Sequence, residues 1–139
     1  MNENSSEGRR ISLVLGSGGA RGHAHIGVIR AIEERGLKIQ NVAGTSIGAL
    51  IGGIYAAGAL DTYTKWAYRL NTPNVVRLLD FSFRGAVFKG ERVFEALSEL
   101  IGDKQIEELP LGFVAVATDI GSEREIWLNE GPLFSAVQA

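Results

Sequence analysis

The chain has 139 residues, 14 basic and 16 acidic side chains, a net charge of -2 and no cysteine. That length suits one small domain or a portion of a larger one. Absent cysteine excludes disulfides, thiolate metal sites and a thiol nucleophile within these residues, and scattered charge without a basic, aromatic-interleaved stripe argues against a nucleic-acid partner.

Residues 1–9 are polar and read as a flexible tail, without the apolar segment that a secretory signal needs. Ile11-Ser12-Leu13-Val14-Leu15 is a short apolar run with little alternation, as in a buried parallel strand. The loop Gly16-Ser17-Gly18-Gly19-Ala20-Arg21-Gly22 follows it, and His23 to Arg35 then reads as a helix. His25, Val28, Ile29 and Ile32 fall at the spacing of one helical face. His25 is accordingly expected as a packed core histidine, and His23 as a hydrogen-bond former at the helix start. Two histidines two positions apart, with no Glu-His pattern nearby, make a poor metal site.

Consecutive glycines let a strand-to-helix loop point backbone N–H groups inward as an anion-binding nest. A dinucleotide fingerprint fails here, because its third glycine position holds Arg21 and no acidic residue ends the second strand. A phosphate-binding Walker loop fails too, since Arg21-Gly22-His23 stands where Gly-Lys-Ser/Thr is needed. A glycine turn with no chemistry stays open.

Gln40-Asn41-Val42-Ala43 leads into Gly44-Thr45-Ser46-Ile47-Gly48, and a small-residue apolar run, Ala49 to Gly58, leads out. This is the setting of a nucleophile elbow, where a strand ends, the chain turns sharply and a helix starts beneath an exposed serine. Glycine two positions either side of the serine removes side chains that would clash in such a turn. The run Val42 to Leu60 is long and weakly charged, but the elbow accounts for it as a buried helix rather than a membrane span. In an open parallel sheet both glycine turns emerge at the carboxyl edge, where such folds place ligands.

Leu15 to Gly22, with His25-Ile26-Gly27-Val28 behind it, resembles the oxyanion loop of the patatin-like phospholipases, most of all the bacterial branch related to neuropathy target esterase. Gly44-Thr45-Ser46-Ile47-Gly48-Ala49-Leu50 resembles that family's elbow, and Val114 to Asp119 and Glu130 to Val137 resemble its later landmarks. The likeness covers residues 10–139, taken as the N-terminal portion of the domain. It implies an α/β fold, a three-layer α/β/α arrangement with a mostly parallel central sheet. It also implies a serine esterase that cleaves esters of phospholipid, lysophospholipid or related lipids through a Ser-Asp dyad, with no cofactor and no metal. By resemblance the catalytic serine matches Ser46, the oxyanion glycines match Gly18 and Gly19, and the loop's basic residue matches Arg21. Ser17 replaces a glycine found in many members, a mild departure. The implied partner is a lipid or small ester, and the implied location is cytoplasmic, with peripheral contact at the inner membrane surface left open. A non-catalytic anion- or lipid-binding domain using the same loops is the rival.

The family's aspartate lies in an Asp-Gly-Gly or Asp-Gly-Ala motif, and these residues hold no Asp-Gly pair. Of the four aspartates, Asp61 reads as an N-cap and Asp80 and Asp103 sit in apparent turns. The resemblance gives Asp119 a structural role. The dyad is therefore expected to be incomplete in residues 1–139, cut before the catalytic aspartate, and the fragment alone is expected to be inactive.

The remainder reads as further αβ structure. Asp61 to Leu70 is an amphipathic helix with Tyr63, Trp66, Ala67 and Leu70 on one face. Val75 to Leu79, with Phe81 and Phe83, forms an apolar excursion able to wall a lipid pocket or simply to pack. Glu91 to Ile101 is a helix with Val93, Phe94, Leu97, Leu100 and Ile101 as its stripe and Gly102 as its stop. Leu111 to Ala117 reads as a central strand, Ile120 to Glu123 as a turn, and Arg124 to Leu128 as an antiparallel return. Pro132 starts a last helix.

Overall fold

The computed structural model describes residues 8–69 and 87–139. The apolar excursion over Val75 to Phe83, together with Asp80 and Leu70, lies outside the described residues. Among the described residues four strands and five α-helices follow in chain order: β1 (Arg10–Leu15), α1 (Ala24–Glu34), β2 (Lys38–Gly44), α2 (Ile47–Ala56), α3 (Leu60–Arg69), α4 (Val87–Ile101), β3 (Gly112–Asp119), β4 (Arg124–Leu128) and α5 (Leu133–Gln138). The strands form one sheet in the order β1-β2-β3-β4. The first three are parallel and β4 returns antiparallel to β3. This is an α/β fold with a mostly parallel sheet.

Strand order and handedness together decide where the helices go. Parallel crossovers are almost always right-handed, so strands added in one direction send their helices to one face. That face carries Leu15, Ile39, Val42, Phe113 and Ala115, all buried in the single core cluster. Helix α2 lies across it and touches β1, β2 and β3. Ile47, Leu50, Ile51 and Ile54 are at most 1% exposed. Their burial, at roughly 2 kcal/mol each, outweighs the ~1 kcal/mol helix penalty of each glycine in α2. Those glycines admit the close approach. A Cβ on Gly52 would stand 2.7 Å from the Val42 side chain, and one on Gly53 would stand 2.8 Å from that of Leu133.

The opposite sheet face carries Ser12, Val14, Asn41, Ala43 and Val114, with Val14 78% exposed. The described residues thus supply one helical layer of the expected three-layer arrangement. Gly8 donates to the Gly36 carbonyl, and the Arg9 carbonyl accepts from Lys38, both at 2.9 Å.

Several boundaries differ from the sequence reading. A 3₁₀ turn, Gly19–His23, precedes α1, so the first helix opens one residue later than its periodicity suggested. Helix α3 opens at Leu60, which places Asp61 inside the first turn rather than at the cap. There Asp61 takes an exposed 3.1 Å ion pair with Arg30 instead. Helix α4 begins at Val87 and stops at Gly102, whose φ of +84° and N–H bond to Ser98 close its end. Val93, Phe94 and Leu97 are buried as their spacing implied.

Candidate functional site

Ser46 sits between the end of β2 and the start of α2 with φ 55° and ψ -127°. An L side chain is strained in that region, and the packing around the turn leaves it no relaxed alternative. A Cβ on Gly44 would lie 2.4 Å from the Gly48 carbonyl oxygen. One on Gly48 would lie 2.2 Å from the Leu15 oxygen and 2.6 Å from the Gly16 oxygen. Both glycines are required by backbone-on-backbone contact. The Thr45 N–H donates to the Leu15 carbonyl at 3.2 Å and ties the turn to the end of β1.

The glycine loop lies against the same helix start. A Cβ on Gly22 would fall 2.1 Å from the Ile47 side chain. Gly19 has φ +51°, the left-handed conformation that glycine adopts freely. The Arg21 N–H closes a turn onto the Gly18 carbonyl at 3.1 Å. Among the described residues, the N–H groups of Gly18, Gly19 and Ile47 donate to no protein acceptor. The Arg21 side chain is exposed and forms no ion pair there.

Half-buried Ser46 opens on a cleft of about 490 Å³, walled by Ala49, Ala115, Val116, Ala117, Thr118, Ile120 and the end of α5. Among the described residues its hydroxyl has no hydrogen-bond partner, and no carboxylate lines the cleft. Asp119 is committed elsewhere. Its Oδ2 accepts from the Ser122 hydroxyl at 2.6 Å, and its Oδ1 accepts from the Gly121 N–H at 2.9 Å. These bonds, that of Ser122 first, hold its carboxyl below the usual aspartate range. A carboxylate so stabilised is a poor proton acceptor and a good turn-former.

Neither histidine lines the cleft. His25 is not packed in the core as its spacing suggested. It is half-buried in the first turn of α1, and its Nε2–H donates to the Gly16 carbonyl at 2.9 Å. His23 does form the bond expected at the helix start, Nδ1–H to the Ala20 carbonyl at 3.3 Å. Its Nε2 meets the Tyr63 hydroxyl at 2.8 Å, a contact 40 residues away that local pattern could not reveal.

Two glycine-shaped turns thus pack together at the start of α2, through Gly22 against Ile47 and Gly48 against Leu15 and Gly16. A family model described as Patatin-like phospholipase matches residues 13–139. The chain belongs to the patatin-like phospholipase family. An uncharacterized NTE family protein of Mycobacterium tuberculosis is 45% identical over 135 residues, which cover 96% of this chain and 38% of that protein. Human patatin-like phospholipase domain-containing protein 6 is 38% identical over 138 residues, 95% of this chain and 10% of its own length. Lysophospholipase nte1 of Emericella nidulans is 37% identical over 147 aligned positions, 95% of this chain and 9% of its own. The patatin-like chain thus spans well under half of each relative. Membership supports lipid hydrolase chemistry at the level of the family. No helix among the described residues is long and apolar enough to cross a membrane.

Proposed function

We propose that the protein is a serine esterase acting on acyl esters of lipids, lysophospholipids among them, with Ser46 as nucleophile. Ser46 oxygen attacks the ester carbonyl, the alcohol leaves, and water hydrolyses the acyl-enzyme. The N–H groups of Gly18 and Gly19, joined by that of Ile47, receive the developing oxyanion. The positive end of α2 adds to that field. Arg21 holds the loop's geometry. The proton acceptor is an aspartate in an Asp-Gly motif outside residues 1–139, and the substrate is met at the inner membrane surface by peripheral contact.

The observation that carries this reading is the strained Ser46 between two required glycines, with the glycine loop packed on the same helix start through Gly22 and Ile47. The test treats full-length protein with a fluorophosphonate and maps the adduct by mass spectrometry. Ser46 should be labelled, and Ser46→Ala should abolish turnover of a p-nitrophenyl ester. Labelling confined to another residue, or full activity in Ser46→Ala, refutes the assignment of Ser46; absence of both labelling and ester turnover in the wild type favours a loop that binds without turning over.

A further inference from the structure

The glycine loop has a mechanical problem. Gly18 and Gly19 are conformationally free, and donors aimed at a developing charge help only if they are already oriented when it forms. Each end of the loop carries a histidine tie. At its start, His25 reaches back from α1 and donates to the Gly16 carbonyl at 2.9 Å, which fixes the peptide plane entering the glycines. At its end, His23 donates from Nδ1 to the Ala20 carbonyl at 3.3 Å. A carbonyl can only accept, so the neutral ring is left with Nε2 as acceptor, and it receives the Tyr63 hydroxyl at 2.8 Å.

Tyr63 is an anchor rather than a surface contact. It lies on α3, is 0% exposed, and stacks on the His23 ring with centroids 6.0 Å apart and planes 17° apart. Burial pushes its phenol above the ordinary value, so the O–H remains a donor across the working pH range. The loop's far end is thereby tied to the core, and Gly22 against Ile47 fixes its distance from the elbow helix.

We propose that His25 and the His23–Tyr63 pair are positioning residues that clamp the two ends of the oxyanion loop. The clamp rests on the esterase reading, and neither histidine is assigned a proton-transfer step. A clamp acts on the transition state more than on substrate binding, so its loss lowers kcat and leaves KM nearly unchanged.

The test measures p-nitrophenyl ester turnover by full-length protein, with Ser46→Ala as blank and melting temperature as the folding control. Tyr63→Phe keeps the buried ring and removes only the donor, and His25→Phe removes the Gly16 tie. Each should lower kcat about tenfold with KM within threefold, since small misplacements of oriented groups carry large rate penalties. His25→Gln, whose amide can still donate to the carbonyl, should recover most of the loss. The double variant of His23→Leu with Tyr63→Phe should be no slower than the worse single one, because both break one linkage. Wild-type turnover with kcat within twofold in both Tyr63→Phe and His25→Phe, or a change in KM alone, overturns the clamp while the esterase stands. Absence of Ser46-dependent turnover in the wild type overturns the esterase reading and the clamp's role with it.

Discussion

Replacing Gly48 by alanine adds one carbon atom where the end of β1 already stands. The new Cβ would lie 2.2 Å from the Leu15 oxygen and 2.6 Å from both the Leu15 carbon and the Gly16 oxygen, whereas ordinary contact begins near 3.4 Å. The first turn of α2 and the end of β1 must therefore part by about 1.2 Å, a distance set by those two values. Neither side yields easily. The Leu15 carbonyl is held by the Thr45 N–H, the Gly16 carbonyl by His25, and α2 is buried along its length. Overpacking of this kind costs about 3 kcal/mol, and a loss of that size lowers Tm by roughly 10 °C. The same displacement moves Ser46 relative to the glycine loop, for which about 100-fold in kcat/KM is the expected penalty. Gly27→Ala is the matched control. It makes the same change on an exposed face of α1, where a Cβ would meet nothing within 4 Å, so it should stabilise by about 0.5–1 kcal/mol and leave turnover unchanged. Thermal melts and steady-state ester hydrolysis of the two variants decide the matter. Gly48→Ala melting within 2 °C of wild type, with turnover within threefold, would show the contact to be soft and refute the reasoning; those thresholds are about the limit of what the ~3 kcal/mol figure tolerates.

Gly19→Val should lower kcat about 100-fold with the fold largely retained, because a β-branched residue resists the φ of +51° and one oxyanion donor is lost; kinetics within threefold of wild type would count against these N–H groups. Asp119 should make stability acid-sensitive. Its carboxyl is held below 3.8, so its contribution is present above that value and fades as pH falls through the lowered one. Asp119→Asn should therefore melt lower than wild type at pH 7 and converge with it in acid, and parallel melting curves from pH 7 to pH 3 would remove the turn from the account.

The candidate site was legible in the sequence because its backbone contacts can be met only by glycine. A Cβ on Gly44 would meet backbone at Gly48 and Ala49, and one on Gly48 would meet the end of β1, and such demands leave a mark in residue type. The sheet was legible because β1 and β3 are short apolar runs and β4 returns after an obvious turn, but β1 is not the fully buried strand its composition implies: its burial alternates, with Val14 78% exposed. The errors share one cause, the meeting of elements distant in sequence. The helical period places His25 on the core face, whereas the 3₁₀ turn before α1 brings its ring to the end of β1. Val28, on the same supposed face, is 48% exposed. Asp61 looked like a cap because nothing local reveals that Arg30 stands opposite it. The Tyr63 hydroxyl has no sequence signal at all, since an aromatic at a core position reads as packing whatever its polar end does.

The backbone at Ser46 sets usefulness against persistence. At φ 55° and ψ -127° the strain at this position is of the order 1–3 kcal/mol, and glycine alone would relieve it. The serine is thus a less stable choice at its own position than glycine would be. Ser46→Gly should therefore raise stability, and on the esterase reading it should leave the same fold without its nucleophile. On the esterase reading, serine in such a turn holds its reactive hydroxyl against the thermodynamic gradient of the fold.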